Sequence, residues 1–207
     1  MKIKLALALL LLPVMIYAQE QLPPAVVIGK NAKEKYLVRP GAKVMGNGAL
    51  GAFLLRSEQD LEREIGSYTQ VKKPFLVKDI NLSIHENTIP GCVAAINIYR
   101  IGGKKQPLFF NVAVSDKPQD YHIRPEEPLV LEPGYYFIAF QIAGCDKEAL
   151  NAFLAKPEKE RGYDEMALYF VLHFKNSHGR DTPLDKMDYC PFNMGLAVKG
   201  QEYKNPQ

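Results

Sequence analysis

The sequence predicts an all-β fold, an antiparallel β-sandwich carrying one short helix, and three observations predict it. Apolar and polar residues alternate with a period of two over residues 75–84, as in a strand with one buried and one wet face, and large apolar residues share one parity over 135–142 and 166–174. The 15 Gly and 15 Pro spread through 207 residues punctuate the chain too often for a helical bundle. From Ala49 onward, short apolar segments recur with turn signals between them, which is the spacing of a sandwich.

The elements follow in chain order. In 75–84, Leu76, Ile80, Leu82 and Ile84 share one parity and Asp79, Asn81 and Ser83 the other, with Lys78 interrupting the apolar face. Phe75 falls on the outer parity. A turn at Ile89, Pro90 and Gly91 leads into a strand over 93–101, with Ile96 and Ile98 on one face and Asn97 and Tyr99 on the other. Gly102, Gly103, Lys104 and Lys105 form a hairpin turn, 108–114 returns, and 121–124 is a short edge strand. Pro133 and Gly134 open the strand 135–142, whose core face is Tyr136, Ile138, Phe140 and Ile142. Ala149, Leu150, Phe153 and Leu154 have helical spacing, and Pro157 stops a helix over about 147–155. The polar run 156–162 is a solvated loop. Met166, Leu168, Phe170, Leu172 and Phe174 share one parity, so 166–174 reads as a single strand. A polar connection at 176–188 and a strand at 192–199 close a domain of about seven or eight strands. The domain reading is a signal segment at 1–18, an irregular lead-in at 19–48, the sandwich at 49–200 and a tail at 201–207.

Lys2 and Lys4 precede an apolar run from Leu5 to Ile16, and Ala18 stands before the polar Gln19. This is the layout of a cleaved secretory signal, and the run is too short for a bilayer span of ~20 residues. No later stretch reaches that length, so no transmembrane segment is expected in the mature chain. The expected location is the periplasm, the cell surface or the medium. Lys and Arg number 26 against 23 acids, and losing Lys2 and Lys4 leaves the chain nearly neutral. That balance lacks the electrostatic footprint of a nucleic-acid binder.

The pieces resemble the β-sandwich module of secreted and outer-membrane proteins of Gram-negative bacteria, those with carboxypeptidase-regulatory-like domains or near TonB-dependent systems. The matching stretches are 22–28 (LPPAVVI), 65–84 (IGSYTQVKKPFLVKDINLSI), 95–100 (AINIYR), 129–137 (LVLEPGYYF) and 192–198 (FNMGLAV). The resemblance covers most of residues 22–200. It implies a jelly-roll-like sandwich without catalytic residues. The regulatory-like domain itself has no room before residue 49.

Motifs for chemistry are missing. His85, His122, His173 and His178 form no H-E-x-x-H pattern, no serine sits in a G-x-S-x-G elbow, and the glycines at 46–51 lack a flanking strand and helix. Loop acids such as Asp116, Asp120, Glu126, Glu127, Asp181, Asp185 and Asp188 could serve a glycan hydrolase, but no spacing fixes a pair. Asp185 and Asp188 lack the calcium-loop pattern. No cofactor and no metal is expected. Cys92, Cys145 and Cys190 fit no zinc spacing. In an exported chain they can form one bridge. Cys145–Cys190 is the favoured pair because each flanks a strand end, and Cys92–Cys145 competes by the same reasoning.

The aromatics are more informative. Phe75, Tyr99, Tyr121, Tyr135, Phe137 and Tyr169 fall on outer parities, where flat rigid rings can bind sugars or peptides. Tyr135, Tyr169 and His173 are the candidate ligand-binding residues, with His173 on the parity of Tyr169 in the same strand. The reading is a non-catalytic accessory or binding module of the cell envelope, with a glycan or protein partner. The alternatives are a glycan hydrolase and a purely structural envelope protein. Mass spectrometry of the exported protein is expected to find a new N-terminus at Gln19; an intact Met1 on a membrane-embedded product would reject the signal.

Overall fold

The computed structural model describes residues 33–46, 49–180 and 187–202, with side chains outside 175–190. The signal segment, residues 19–32 of the lead-in, Asp181, Asp185, and the side chains of His178, Asp188 and Cys190 lie outside what is described. Fourteen strands are described: β1 (Lys35–Val38), β2 (Ala42–Lys43), β3 (Leu50–Leu54), β4 (Glu64–Val71), β5 (Phe75–Asn87), β6 (Val93–Arg100), β7 (Gln106–Asn111), β8 (Gln119–Ile123), β9 (Leu129–Leu131), β10 (Gly134–Gly144), β11 (Ala167–Val171), β12 (His173–Arg180), β13 (Met187–Asn193) and β14 (Ala197–Glu202). The single α-helix among the described residues is α1 (Lys147–Ala155). The all-β sandwich with one short helix is therefore the architecture.

All pairings are antiparallel, in two sheets. In the first, the 13-residue β5 carries β14 and β11 along one edge and β9 and β8 along the other. β1 adds to β14 and β3 to β11. The second sheet runs β13-β12-β4-β10-β6-β7, with β2 on the edge of β12. The inner faces meet in one apolar layer. Tyr136, Ile138, Phe140 and Ile142 of β10 all join it, as the alternation predicts. They face Ile80, Leu82 and Ile84 of β5 and Leu168 and Phe170 of β11. Phe53 of β3 meets Phe140 edge-on across the layer, with ring centroids 5.6 Å apart.

Three expectations need correction. In β5, Phe75 and Val77 join the core cluster in place of Leu76. Asp79 pairs with Lys199 while Val77 pairs with Gly200, so Lys78 is an extra residue, a β-bulge that switches the inward parity. Next, 166–174 is not one strand. β11 ends at Val171 in the first sheet, Leu172 bonds to Ala49 and Val44, and His173 starts β12 in the second sheet. Phe174 is consequently exposed. Strands that bend from one sheet to the other form the corners of sandwiches, and unbroken alternation conceals the bend. Finally, the described end of the lead-in is structured. β1 places Val38 in the core, and Lys199 stacks on Tyr36 5.1 Å from its ring centroid. At the other end, β14 runs through Gln201 and Glu202 of the expected tail.

Leu168→Ala, at a fully buried site, is expected to destabilise by about 2–5 kcal/mol. Gly200→Ala is expected to destabilise as well, because a Cβ there would lie 2.0 Å from the Leu76 carbonyl oxygen. Denaturant titration checks both, and unchanged midpoints would contradict the layer assignment.

Candidate functional site

The sequence candidates do not converge on one site. Tyr169 is on β11 of the first sheet, whereas Tyr135 and His173 are on the second. Tyr135 is exposed on β10, and its hydroxyl accepts a bond from Gln70 Nε2 at 3.3 Å. His173 is buried, with Nδ1 3.3 Å from the Gly41 carbonyl oxygen. Its ring packs on Gly195, whose φ is +73° and where a Cβ would come within 2.4 Å of Nε2. His173 is thus a packing group. Of the other outer-parity aromatics, Phe75, Tyr99 and Phe137 are buried. Phe75 is turned inward by the bulge. Tyr99 and Phe137 form a second apolar cluster with Ala139, and Tyr68 packs against it.

Beside that cluster, on the same face of the second sheet, sits a buried carboxylate. Glu64 accepts bonds from Asn97 Nδ2 at 2.6 Å and Tyr99 OH at 2.9 Å, and pairs with Lys105 Nζ at 2.5 Å. Lys105 comes from the β6–β7 turn. A buried charge costs several kcal/mol unless paired and bonded, and these partners meet that demand while tying the hairpin to β4. The site has the character of a fastening. The remaining expected acids are scattered: Asp120 on β8, for example, accepts a bond from the Ser83 hydroxyl of β5.

Tyr169 does lead to a site. Its hydroxyl donates to Asp164 Oδ1 at 2.7 Å, and Asp164 lines a groove of about 620 Å³ between α1 and the 156–166 loop. That volume is ordinary for ligand clefts. The helix is set by Asp146, whose carboxylate accepts from the backbone of Glu148 and Ala149 at 2.9 and 3.1 Å, a favourable N-cap. It buries Leu150 and Phe153 and presents Ala149 and Ala152 to the groove.

Arg56, just after β3, organises the opposite wall. Its guanidinium donates to the Tyr163 carbonyl at 2.6 Å and the Glu165 carbonyl at 3.0 Å. It also lies 5.2 Å from the Phe153 ring centroid and 5.9 Å from that of Tyr163. One planar cation therefore joins helix, loop and sheet through bonds and ring stacking. Lys156 Nζ pairs with Glu165 Oε2 at 2.5 Å, the Gly162 amide donates to Glu165 Oε1 at 3.1 Å, and Thr88 donates to the Asp164 carbonyl at 2.7 Å. Lys156 holds the Glu165 carboxyl below its usual range. Met166, also in the wall, has φ +51°, a left-handed conformation that costs about 1–2 kcal/mol in a non-glycine residue. The surroundings hold it there. In this fixed loop, Tyr163 remains 67% exposed, its ring free on the solvent side.

Neither Arg56 nor Tyr163 stood out in the sequence, where both lie in polar segments without periodicity. The Arg56–Glu165 bond spans 109 positions, and no local pattern reports such a contact. Among the described residues, no group of three or more His, Cys, Asp or Glu is placed to hold a metal ion. The favoured Cys145–Cys190 bridge is not formed: Cys145 is a free thiol. The Cys190 backbone is on β13, three strands from β10. At ~4.8 Å per strand that is beyond the ~7 Å Cα limit of a disulfide.

Burial, and then the bond to Asp164, push the Tyr169 phenol up from 10.0 to about 12. A raised phenol pKa gives stabilisation that is complete below pH 10 and lost as pH rises through about 12. Burial raises Tyr121 and Tyr136 as well, so ultraviolet titration is expected to show a group of late-ionising phenols that loses one member in Tyr169→Phe and has one shifted down in Asp164→Asn; unchanged curves would remove the bond. Searches for a matching protein family, curated protein or solved structure find no match for this chain.

Proposed function

We propose that the protein is an exported, non-catalytic binding module of the cell envelope that holds a glycan in the groove between α1 and the 156–166 loop. The observation that carries this reading is the Tyr163 ring, exposed to solvent yet fixed by Arg56 beside the Asp164 and Glu165 carboxylates. A sugar ring offers an apolar face to a flat aromatic and hydroxyls to neighbouring acceptors. A loop already stapled by Arg56, Lys156 and Thr88 loses little freedom on binding. The amino-terminal signal pattern and the resemblance to envelope sandwiches support the location.

The same geometry favours binding over hydrolysis. A glycosidase needs a carboxyl kept protonated near neutral pH as general acid. Glu165 is held low by Lys156 and so stays ionised, while an Asp164 oxygen is occupied by the Tyr169 hydroxyl. Both are suited to accepting hydroxyl bonds.

A glycan array with the mature protein tests the proposal. Binding to an oligosaccharide class is expected, weakened about tenfold or more in Tyr163→Ala, as for an aromatic anchor worth over ~1.4 kcal/mol. The melting temperature of the variant should stay near that of the wild type, because the ring is largely solvated. Equal binding by both proteins, or binding to no glycan, would reject the groove as a glycan site.

A further inference from the structure

We infer that Cys92 and Cys145 form a disulfide when the protein meets a disulfide oxidant, cross-linking the start of β6 to the end of β10. In the β6–β10 ladder, Val93 pairs with Gly144. One step further out, the Asp146 amide donates to the Pro90 carbonyl at 2.9 Å. Cys145 and Cys92 are therefore opposite each other between two points where the backbones touch. Directly opposed residues of antiparallel strands have Cα atoms about 4.5–5.5 Å apart, inside the range a disulfide spans. The two side chains also share a face, since Cys92 belongs to the main core cluster and Cys145 packs against it.

Their unequal settings fix the order of events. Cys145 is half-buried and lines a second cleft, of about 450 Å³, between residues 58–62 and α1. Cys92 is buried beneath it. Cys145 is consequently the thiol an external disulfide reaches. Its thiolate attacks one sulfur of R–S–S–R, giving Cys145–S–S–R and releasing one R–SH. Cys92, losing its proton to solvent, then attacks the Cys145 sulfur and expels the second R–SH. The two protein thiols lose two electrons in total, and R–S–S–R gains them. Burial raises both thiols, Cys92 to about 12, so closure accelerates with rising pH because only the thiolate attacks. Nothing in this step depends on what the groove binds.

The test uses the purified reduced chain incubated with oxidised glutathione at mildly alkaline pH, then alkylated and mapped without reduction. A linked peptide pair containing Cys92 and Cys145 is expected, and Cys190→Ser should yield the same pair. Cys92→Ser should stop at one glutathione on Cys145. The bridge closes a long loop, so the oxidised Cys190→Ser protein should melt roughly 5–15 °C above its reduced form. A bridge through Cys190, three free thiols after the incubation, or glutathione on Cys92 in a Cys145→Ser variant would overturn the inference.

Discussion

The structure depends on the burial of two long strands against each other. β5 and β10 lie at the centres of their sheets, and each sends alternate side chains into one shared apolar layer. Burial of a Leu, Ile or Phe side chain contributes about 1.5–3 kcal/mol, and a one-residue slip would turn the set toward water. Register is thus strongly specified where both strands are inward-facing. The bulge at Lys78 belongs to the same constraint. It lets β5 bury Phe75 and Val77 at one end and Ile80, Leu82 and Ile84 at the other, while Lys78 stays partly exposed and its ammonium lies 3.6 Å from Glu34.

The groove is a consequence of that frame. α1 follows β10 directly, and its Leu150 and Phe153 are buried against the sandwich edge. The loop that returns to β11 must pass over the helix, and Arg56, Thr88 and Tyr169 fasten it to three separate strands or strand ends of the first sheet. Arg161 adds a bond from its guanidinium to the Leu154 carbonyl at 2.7 Å. A loop held at so many points is a rigid surface, which suits recognition of a polymer whose own flexibility makes ordering costly.

Much of the fold was legible in the sequence because the face turned to the shared core carries large apolar residues on one parity, even in β6 and β10, whose other face is also buried. The strands at β6 and β10 and the helix ending before Pro157 follow directly from their apolar spacing. β4 is not legible because its buried positions include Glu64, Gly66 and Ser67 beside Val71, so no run of large apolar residues marks one parity. The break at Leu172 is hidden in the sequence because Met166, Leu168, Phe170, Leu172 and Phe174 keep one parity, although the chain changes sheets within them. The candidate site was less legible still. Tyr169 reaches the groove only through Asp164, His173 was drawn inward by Gly41 and Gly195, and Arg56 acts across more than a hundred positions. Such contacts are properties of the assembled sandwich, absent from any local window.

In the function we propose, the groove between α1 and the 156–166 loop is where the ligand binds. Amide chemical-shift mapping of the isotopically labelled protein, titrated with a panel of oligosaccharides, tests it most directly. Perturbations are expected to concentrate at Ala152, Phe153 and Tyr163 to Glu165, with the strand around Tyr135 unchanged. Perturbations centred on Tyr135 and the outer face of the second sheet, or none with any oligosaccharide, would contradict it.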